Sequence, residues 1–330
     1  MALSRPALPS AIGPALTRSA VEPSPPEFPG CRAVRITREA IADFEGRFEY
    51  WDADTQTAWM VREPTTVYHE GPGQRLAQLA ALIAAGRGSP ITTLGTADLL
   101  VRDARGERRR IMQADQIVYL RPVQTAPRGP AVEVGTDHLP DIVLEVDYST
   151  DVRRGKLGLY EAWSFPEVWV EVPEAESPSR SSRRLSGLTI HRLGPGGYRR
   201  AAASAAFPGW TAVEIHAALN EPRLSEATSA VLTRVGRALG DAEGTVPDDD
   251  PWLREQRREA VTDATRQAAV GAARQATLDA ALQILRARGI AVPERLEEHL
   301  TDASPNDLVD AALACRDGAD FLARAKGRRP

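Results

Sequence analysis

Three residues of this chain could together hydrolyse a phosphate ester: Asp115, Glu145 and Lys156. Asp115 stands just before the apolar end of RRRIMQADQIVYLRP, and Glu145 is embedded in PDIVLEV. Ile142, Val143, Leu144 and Val146 give that run the near-continuous apolar pattern of a strand covered on both faces. A carboxylate inside such a strand is costly unless something cationic meets it, so Glu145 asks for a metal, an arginine or a lysine nearby. Two carboxylates from neighbouring strands can hold magnesium, which takes oxygen ligands and retains water, and the carbonyl of Val146 could add another ligand. An ammonium beside such an ion can position or deprotonate an attacking water, while the ion stabilises charge developing on a phosphodiester.

Of the 41 basic residues only Lys156 and Lys326 are lysines. A GC-rich genome explains the bias, yet arginine stays charged and cannot do chemistry that needs a tunable amine, which singles out the lysine of the key stretch. Lys326 reads as a solvated end. Glu49 could reach an ion through water or simply face solvent, and Asp147 could add a carboxylate or begin a turn. Arg153 and Arg154, with Arg108 to Arg110, could line a phosphate track or serve as surface charge. His69 reads as a capping or packing residue, and Tyr160, Trp163 and Trp169 as core.

The elements that must position these residues are readable in outline. ITREAIADFEGR predicts a short helix capped by Thr37, and RFEYWDADTQTAWMVRE alternates about a DADT turn as a hairpin with Glu49 on its first strand. A helix follows from Pro72 to a glycine stop, with Leu76, Leu79, Leu82 and Ile83 on one face. Two strands, about 91–102 and 109–121, precede the Glu145 strand, the Lys156 helix and the strand of FPEVWVEV. GLTIHRL and GGYRRAA predict a further hairpin, and strand, helix and strand in this order indicate an α/β domain. Residues 222–240 are helical in pattern, TVPDDDP is a break, and a long alanine-rich helix ends at Gly289. Two shorter helices follow, the last capped by Ser304.

The runs ADQIVYL, PDIVLEV, YST, Lys156, LY and FPEVWVEVP resemble, in order and spacing, the Uma two family of restriction-endonuclease-like proteins within the PD-(D/E)xK nuclease superfamily. FEYWDADTQTAWMV, a histidine and a leucine-rich helix are similar to that family's opening, and the resemblance covers about 36–215. It implies a restriction-endonuclease-like mixed sheet flanked by helices. It also implies Asp115 and Glu145 as ligands of magnesium or manganese, Lys156 as the lysine moved onto the following helix, and DNA as substrate. Three positions depart from the pattern. Asp147 stands where the simplest motif has lysine, Ala114 replaces the proline before the aspartate, and DYSTD lacks the proline of the family's turn.

The resulting organisation is a disordered Pro/Ala/Ser-rich segment (1–30), a nuclease-like α/β domain (31–220), a helical linker (221–252) and an α-helical C-terminal extension (253–330). The alanines and Gly271 of that extension permit close helix approach, which fits self-association through 253–288 and fits equally a helix packed on its own domain. A formal charge of −4 argues for no polyanionic partner by itself. With no run of membrane-helix length and no convincing leader, the expected location is cytoplasmic, with Cys31 and Cys315 as free thiols. The competing expectation is a catalytically weak or inactive nuclease fold that binds nucleic acid or serves assembly. A non-nuclease interaction module leaves the apolar setting of Glu145 unexplained.

Overall fold

A computed structural model describes residues 27–62, 66–177, 184–292 and 305–326. Most of the segment expected to be disordered lies outside these residues, as does Ser304. The chain divides into two compact units at Asp250/Pro251.

The first unit is built on a ten-stranded mixed sheet. Its strands are β1 (Cys31–Arg35), β2 (Tyr50–Asp52), β3 (Thr57–Val61), β4 (Thr92–Arg102), β5 (Arg108–Tyr119), β6 (Val132–Glu133), β7 (Ile142–Val146), β8 (Glu167–Val172), β9 (Gly187–Gly194) and β10 (Gly197–Ala201). The main path runs β1-β3-β2-β5-β7-β8-β9-β10, with β4 on the other edge of β5 and β6 parallel to β4. Helices α1 (Arg38–Ala42), α2 (Val67–Arg87), α3 (Pro122–Thr125), α4 (Lys156–Ala162), α5 (Ala212–Asn220) and α6 (Glu226–Glu243) complete the unit. Thr37 caps α1 by accepting the Ala40 N–H, and Gly88 ends α2 in the left-handed conformation, as their sequences predict. Helix α2 begins five residues before Pro72, which lies inside it.

β7 is buried on both faces. Ile142, Leu144 and Val146 pack with Leu76, Leu79 and Ile83 of α2, whereas Val143 packs with Leu159 and Tyr160 of α4. Alternation therefore places Glu145 on the α4 side.

β5 organises the site because its edge opposite β4 is shared. Residues 110–112 pair with β2, and 116–118 pair with β7. Between them the sheet forks, and Asp115 stands at the fork. β5 also changes face there: Met112 and Ala114 join the same cluster as Ile117 and Tyr119, although strict alternation would put 114 and 117 on opposite faces. β4 distorts at the matching level. Thr96, between the pairs Gly95–Gln116 and Ala97–Ala114, has φ of 50°. That region is unfavourable for a β-branched residue and costs on the order of 1–3 kcal/mol.

The stretch expected as a helical linker carries α6, whose Leu232, Val235 and Leu239 share the core of Leu76, Leu79 and Ile83. The second unit contains α7 (Pro251–Ala287), α8 (Pro305–Ala314) and α9 (Gly318–Ala325). Its core joins Leu278, Ala281 and Leu285 to Leu308, Ala312 and Phe321. Helix α8 is the one opened by SPND, and α9, capped by Asp317, follows it. A Cβ on Gly271 would meet nothing within 4 Å among the described residues, so no contact there requires a glycine. Cys31 and Cys315 are buried free thiols, and no described helix is long and apolar enough to cross a membrane.

Helices α2 and α6 approach through glycine. A Cβ on Gly236 would lie 3.0 Å from the Ile83 carbonyl oxygen and 3.1 Å from the Gly86 carbonyl carbon, both backbone atoms. Gly236→Val is expected to lower stability by about 1–3 kcal/mol. Urea unfolding of the full chain measures this, and an unchanged midpoint would show that α6 does not need its close packing.

Candidate active site

Asp115, Glu145 and Lys156 come from β5, β7 and α4 and converge at the fork of the sheet. The Lys156 ammonium lies 2.9 Å from Oε2 of Glu145, 2.5 Å from Oε2 of Glu49 and 2.6 Å from the Gln113 carbonyl oxygen. These three oxygens match the three donors of an ammonium. Gln113 lies at the fork, where its N–H still reaches the Glu49 carbonyl at 3.3 Å. Glu145 is 1% exposed, Lys156 2% and Glu49 5%.

Each carboxylate is held from a second side. The Tyr160 hydroxyl donates to Oε1 of Glu145. Oδ2 of Asp115 accepts the Val146 N–H at 2.8 Å, taking the place of a main-chain acceptor where the β5–β7 ladder stops. Oδ1 of Asp115 lies 2.8 Å from the Arg47 guanidinium, which also pairs with Glu70, and 3.6 Å from Nε2 of His69.

Four carboxylates, Glu49, Asp115, Glu145 and the more exposed Glu70, thus face two permanent cations, Lys156 and Arg47, and they do not share the charge equally. Burial pushes the Glu145 carboxyl up to about 8; Lys156 opposes this, while Asp115 and Glu49 reinforce it. Burial also acts to raise the Asp115 carboxyl, but His69, Lys156, Arg47 and the Val146 N–H outweigh it and hold the group below its usual range. Burial works against the Lys156 charge as well, yet Glu145, Glu49 and Asp115 hold the ammonium above its usual range. The cluster keeps Asp115 ionised, Lys156 charged and Glu145 close to a proton.

The other expected residues are placed as follows. Glu49, just before β2, belongs to the cluster directly. The Val146 carbonyl accepts the Tyr148 N–H at 3.0 Å. Asp147, fully buried, pairs with Arg184 and accepts the Val152 N–H at 2.9 Å, so it fastens the loop into α4 and does not join Glu145. Arg153 pairs with Asp151 and Arg154 with Glu27, which engages both guanidiniums with carboxylates of the loop and of the segment before β1. Arg109 and Arg110 pair with Asp54 and Asp52 of the β2–β3 hairpin.

Sequence reasoning assigned Tyr160 to the core and did not single out Arg47. Tyr160 had a usable signal: it follows Lys156 by four residues on a helix, so both side chains share the face turned to Glu145. Arg47 had none, because its partner Asp115 lies 68 residues away.

Oxygen donors of this kind suit magnesium or manganese. Among the described residues no group of three His, Cys, Asp or Glu is arranged to hold a metal ion. The Lys156 ammonium stands between Glu49 and Glu145, so the donors fit such an ion in chemical type while their lone pairs are directed to nitrogen. Comparison of the chain with protein families and with curated proteins finds no match.

Lys156→Met keeps most of the stem and removes the charge, leaving Glu145 and Glu49 buried against each other. It is expected to destabilise the fold by about 3–5 kcal/mol, with partial recovery when Glu145→Gln is added. Urea unfolding of the single and double variants checks this, and additive losses would show that the pair is not coupled.

Glu145 also sets a pH dependence. Between its usual value of 4.5 and about 8, the folded chain retains a proton that the unfolded chain releases, so stability falls as pH rises through that window. Asp115 and Lys156 keep their charges in both states there and add no slope. Unfolding midpoints without divalent ions should decline between about pH 5 and about pH 8. Glu145→Gln should flatten that decline, and an unchanged slope would place the titration elsewhere.

Proposed function

We propose that residues 31–220 are a restriction-endonuclease-like domain that hydrolyses DNA phosphodiester bonds with magnesium or manganese. The observation that carries this reading is the meeting of Asp115, Glu145 and Lys156, from three separate elements, at one fork of the sheet. The order α2, β4, β5, β7, α4, β8 supports it, since it places a carboxylate on each of two adjacent strands and the lysine on the helix that follows. Fold alone does not fix an activity, so the weight rests on the site.

In this scheme Asp115 and Glu145, with the Val146 carbonyl, would hold the ion. When bound, the ion supplies stabilisation of the negative charge that builds on the phosphodiester. Tyr160 and Lys156 fix the orientation of Glu145, and Arg47 with the Val146 N–H fixes Asp115. Lys156, expected to assist the water, has an oxygen for each of its hydrogens. Its contribution here is a fixed positive charge that compensates the buried carboxylates.

A second reading has its own observation. The ammonium within the acidic cluster, together with the closure of Glu145 and Lys156 to solvent, also suits a nuclease fold that binds nucleic acid or assembles without turnover.

Purified protein should nick plasmid DNA only with magnesium or manganese, and Glu145→Ala should abolish nicking. Equal cleavage by that variant would sink the assignment, and metal-independent DNA binding without turnover would select the second reading.

A further inference from the structure

Beside α1 lies a cavity of about 590 Å³ that has no task in the scheme above. Its volume is in the usual range of small-molecule sites. The floor comes from β4 and β5. Asp98 stands opposite Gln113 and Leu100 opposite Ile111, so alternation turns all four side chains to one face. Two residues further along β4, Arg102 stands opposite Arg108, and both line the cavity. One wall holds Phe44 and Phe48. The other is the loop APRGPA, in which Pro127 and Pro130 flank Arg128 and restrict the backbone that carries its guanidinium.

Along this floor the chemistry changes in a fixed order. At one end Oδ1 of Asp98 accepts the Gln113 side-chain amide at 3.0 Å, and the Phe48 N–H donates to the oxygen of that amide at 3.0 Å, which fixes its orientation. Oδ2 of Asp98 has no hydrogen-bond partner among the described residues. The middle is apolar, with Leu100 and Ile111 on the floor and the half-buried Phe44 ring on the wall, held against Gly46 where a Cβ would strike it. At the far end Glu133 engages Arg102, and Asp137 accepts the Glu133 N–H. Arg108 and Arg128 meet no carboxylate among the described residues. Four residues of extended strand, about 14 Å, separate the Asp98 level from the arginine level. An open acceptor, an apolar slot and two unpaired cations in line call for a ligand with N–H donors at one end, a flat body and an anionic tail. A purine nucleotide has that order of groups. Guanine carries two adjacent N–H donors, at N1 and N2, on its pairing edge, whereas adenine sets a lone pair beside its amino group. An ionised carboxylate only accepts, so it suits the first edge and is repelled by the lone pair of the second.

We propose that this cavity binds a guanine nucleotide, with Asp98 accepting from the pairing edge of the base, Leu100, Ile111 and Phe44 enclosing the ring, and Arg108 with Arg128 taking the 5′-phosphate. The site stands on its own residues and needs neither a metal nor the nuclease reading. The same chemistry is offered by a free nucleotide and by a 5′-terminal guanine of a single strand, and the experiment compares the two.

The test is a calorimetric titration of the full chain, without divalent ions, with dGMP, dAMP, deoxyguanosine and a short single-stranded oligonucleotide bearing a 5′-phosphorylated guanine. dGMP is expected to bind saturably and at least about tenfold more tightly than dAMP. It should also bind more tightly than deoxyguanosine, and Arg128→Ala, at an exposed position, should narrow that second gap. Asp98→Asn keeps the size of the side chain but adds a donor, and it should abolish the preference for dGMP over dAMP. The tighter binder of dGMP and the oligonucleotide identifies the source of the guanine. No saturable binding of either, equal affinity for dGMP and dAMP, or a dGMP preference that survives Asp98→Asn in a folded chain overturns the inference. The comparison of dGMP with dAMP needs no variant, so it decides the matter even if Asp98→Asn does not fold. Plasmid nicking is a separate measurement, and the nuclease reading stands or falls by that alone.

Discussion

A single ammonium makes this sheet possible. Glu49 and Glu145 are buried almost completely, and the Lys156 charge between them offsets part of the cost of taking two carboxyl groups out of water. The same ammonium takes up the Gln113 carbonyl, which stands where β2 and β7 part from the edge of β5. One side chain therefore joins the approach to β2, the middle of β5, the end of β7 and the first turn of α4. Without it the fork would be a hole lined by like charges and an open carbonyl.

The backbone distortions belong to that arrangement. A regular β5 would keep pairing with β7 and send the side chain of residue 115 to a face fixed by alternation. Instead β5 changes face at this level, and Thr96 of β4 takes a left-handed φ of 50° opposite Asp115. The strain is localised to one cross-strand level, and what it achieves is a carboxylate that serves as acceptor for the Val146 N–H while its other oxygen meets Arg47 and His69. Irregularities of this kind commonly re-aim side chains beside functional sites.

The parts of this arrangement that could be read from sequence are those with a local cause. The apolar setting of Glu145 demanded a cation, and Lys156 answers it from the next helix. The run Ile142–Val146 announced a strand buried on both faces, and Thr37 and Gly88 announced helix ends. What escaped depends on partners distant in the chain. Asp147 reads as a spare carboxylate because its partner, Arg184, lies far along the chain. Residues 221–252 read as a linker because the amphipathic face of α6 does not reveal that α2 is its partner. The kink at Asp115 had no signal in β5, because it requires a matching distortion in β4.

Charge balance links this architecture to function. Four carboxylates, Glu49, Glu70, Asp115 and Glu145, stand against two permanent cations, and the shortage of positive charge is distributed unevenly. Asp115, at the wetter edge, stays ionised, while burial brings Glu145 close to a proton. Environments that drive two neighbouring carboxyl groups apart are typical of sites that separate the roles of acid and ligand. On the nuclease reading, Asp115 and Glu145 would hold the ion, and its positive charge would offset the surplus of carboxylates that burial otherwise balances with a proton at Glu145. Lys156, with an oxygen for each of its hydrogens, is the closed end of this cluster, and its open end lies on the other side of Asp115, where Arg47 and Glu70 meet solvent.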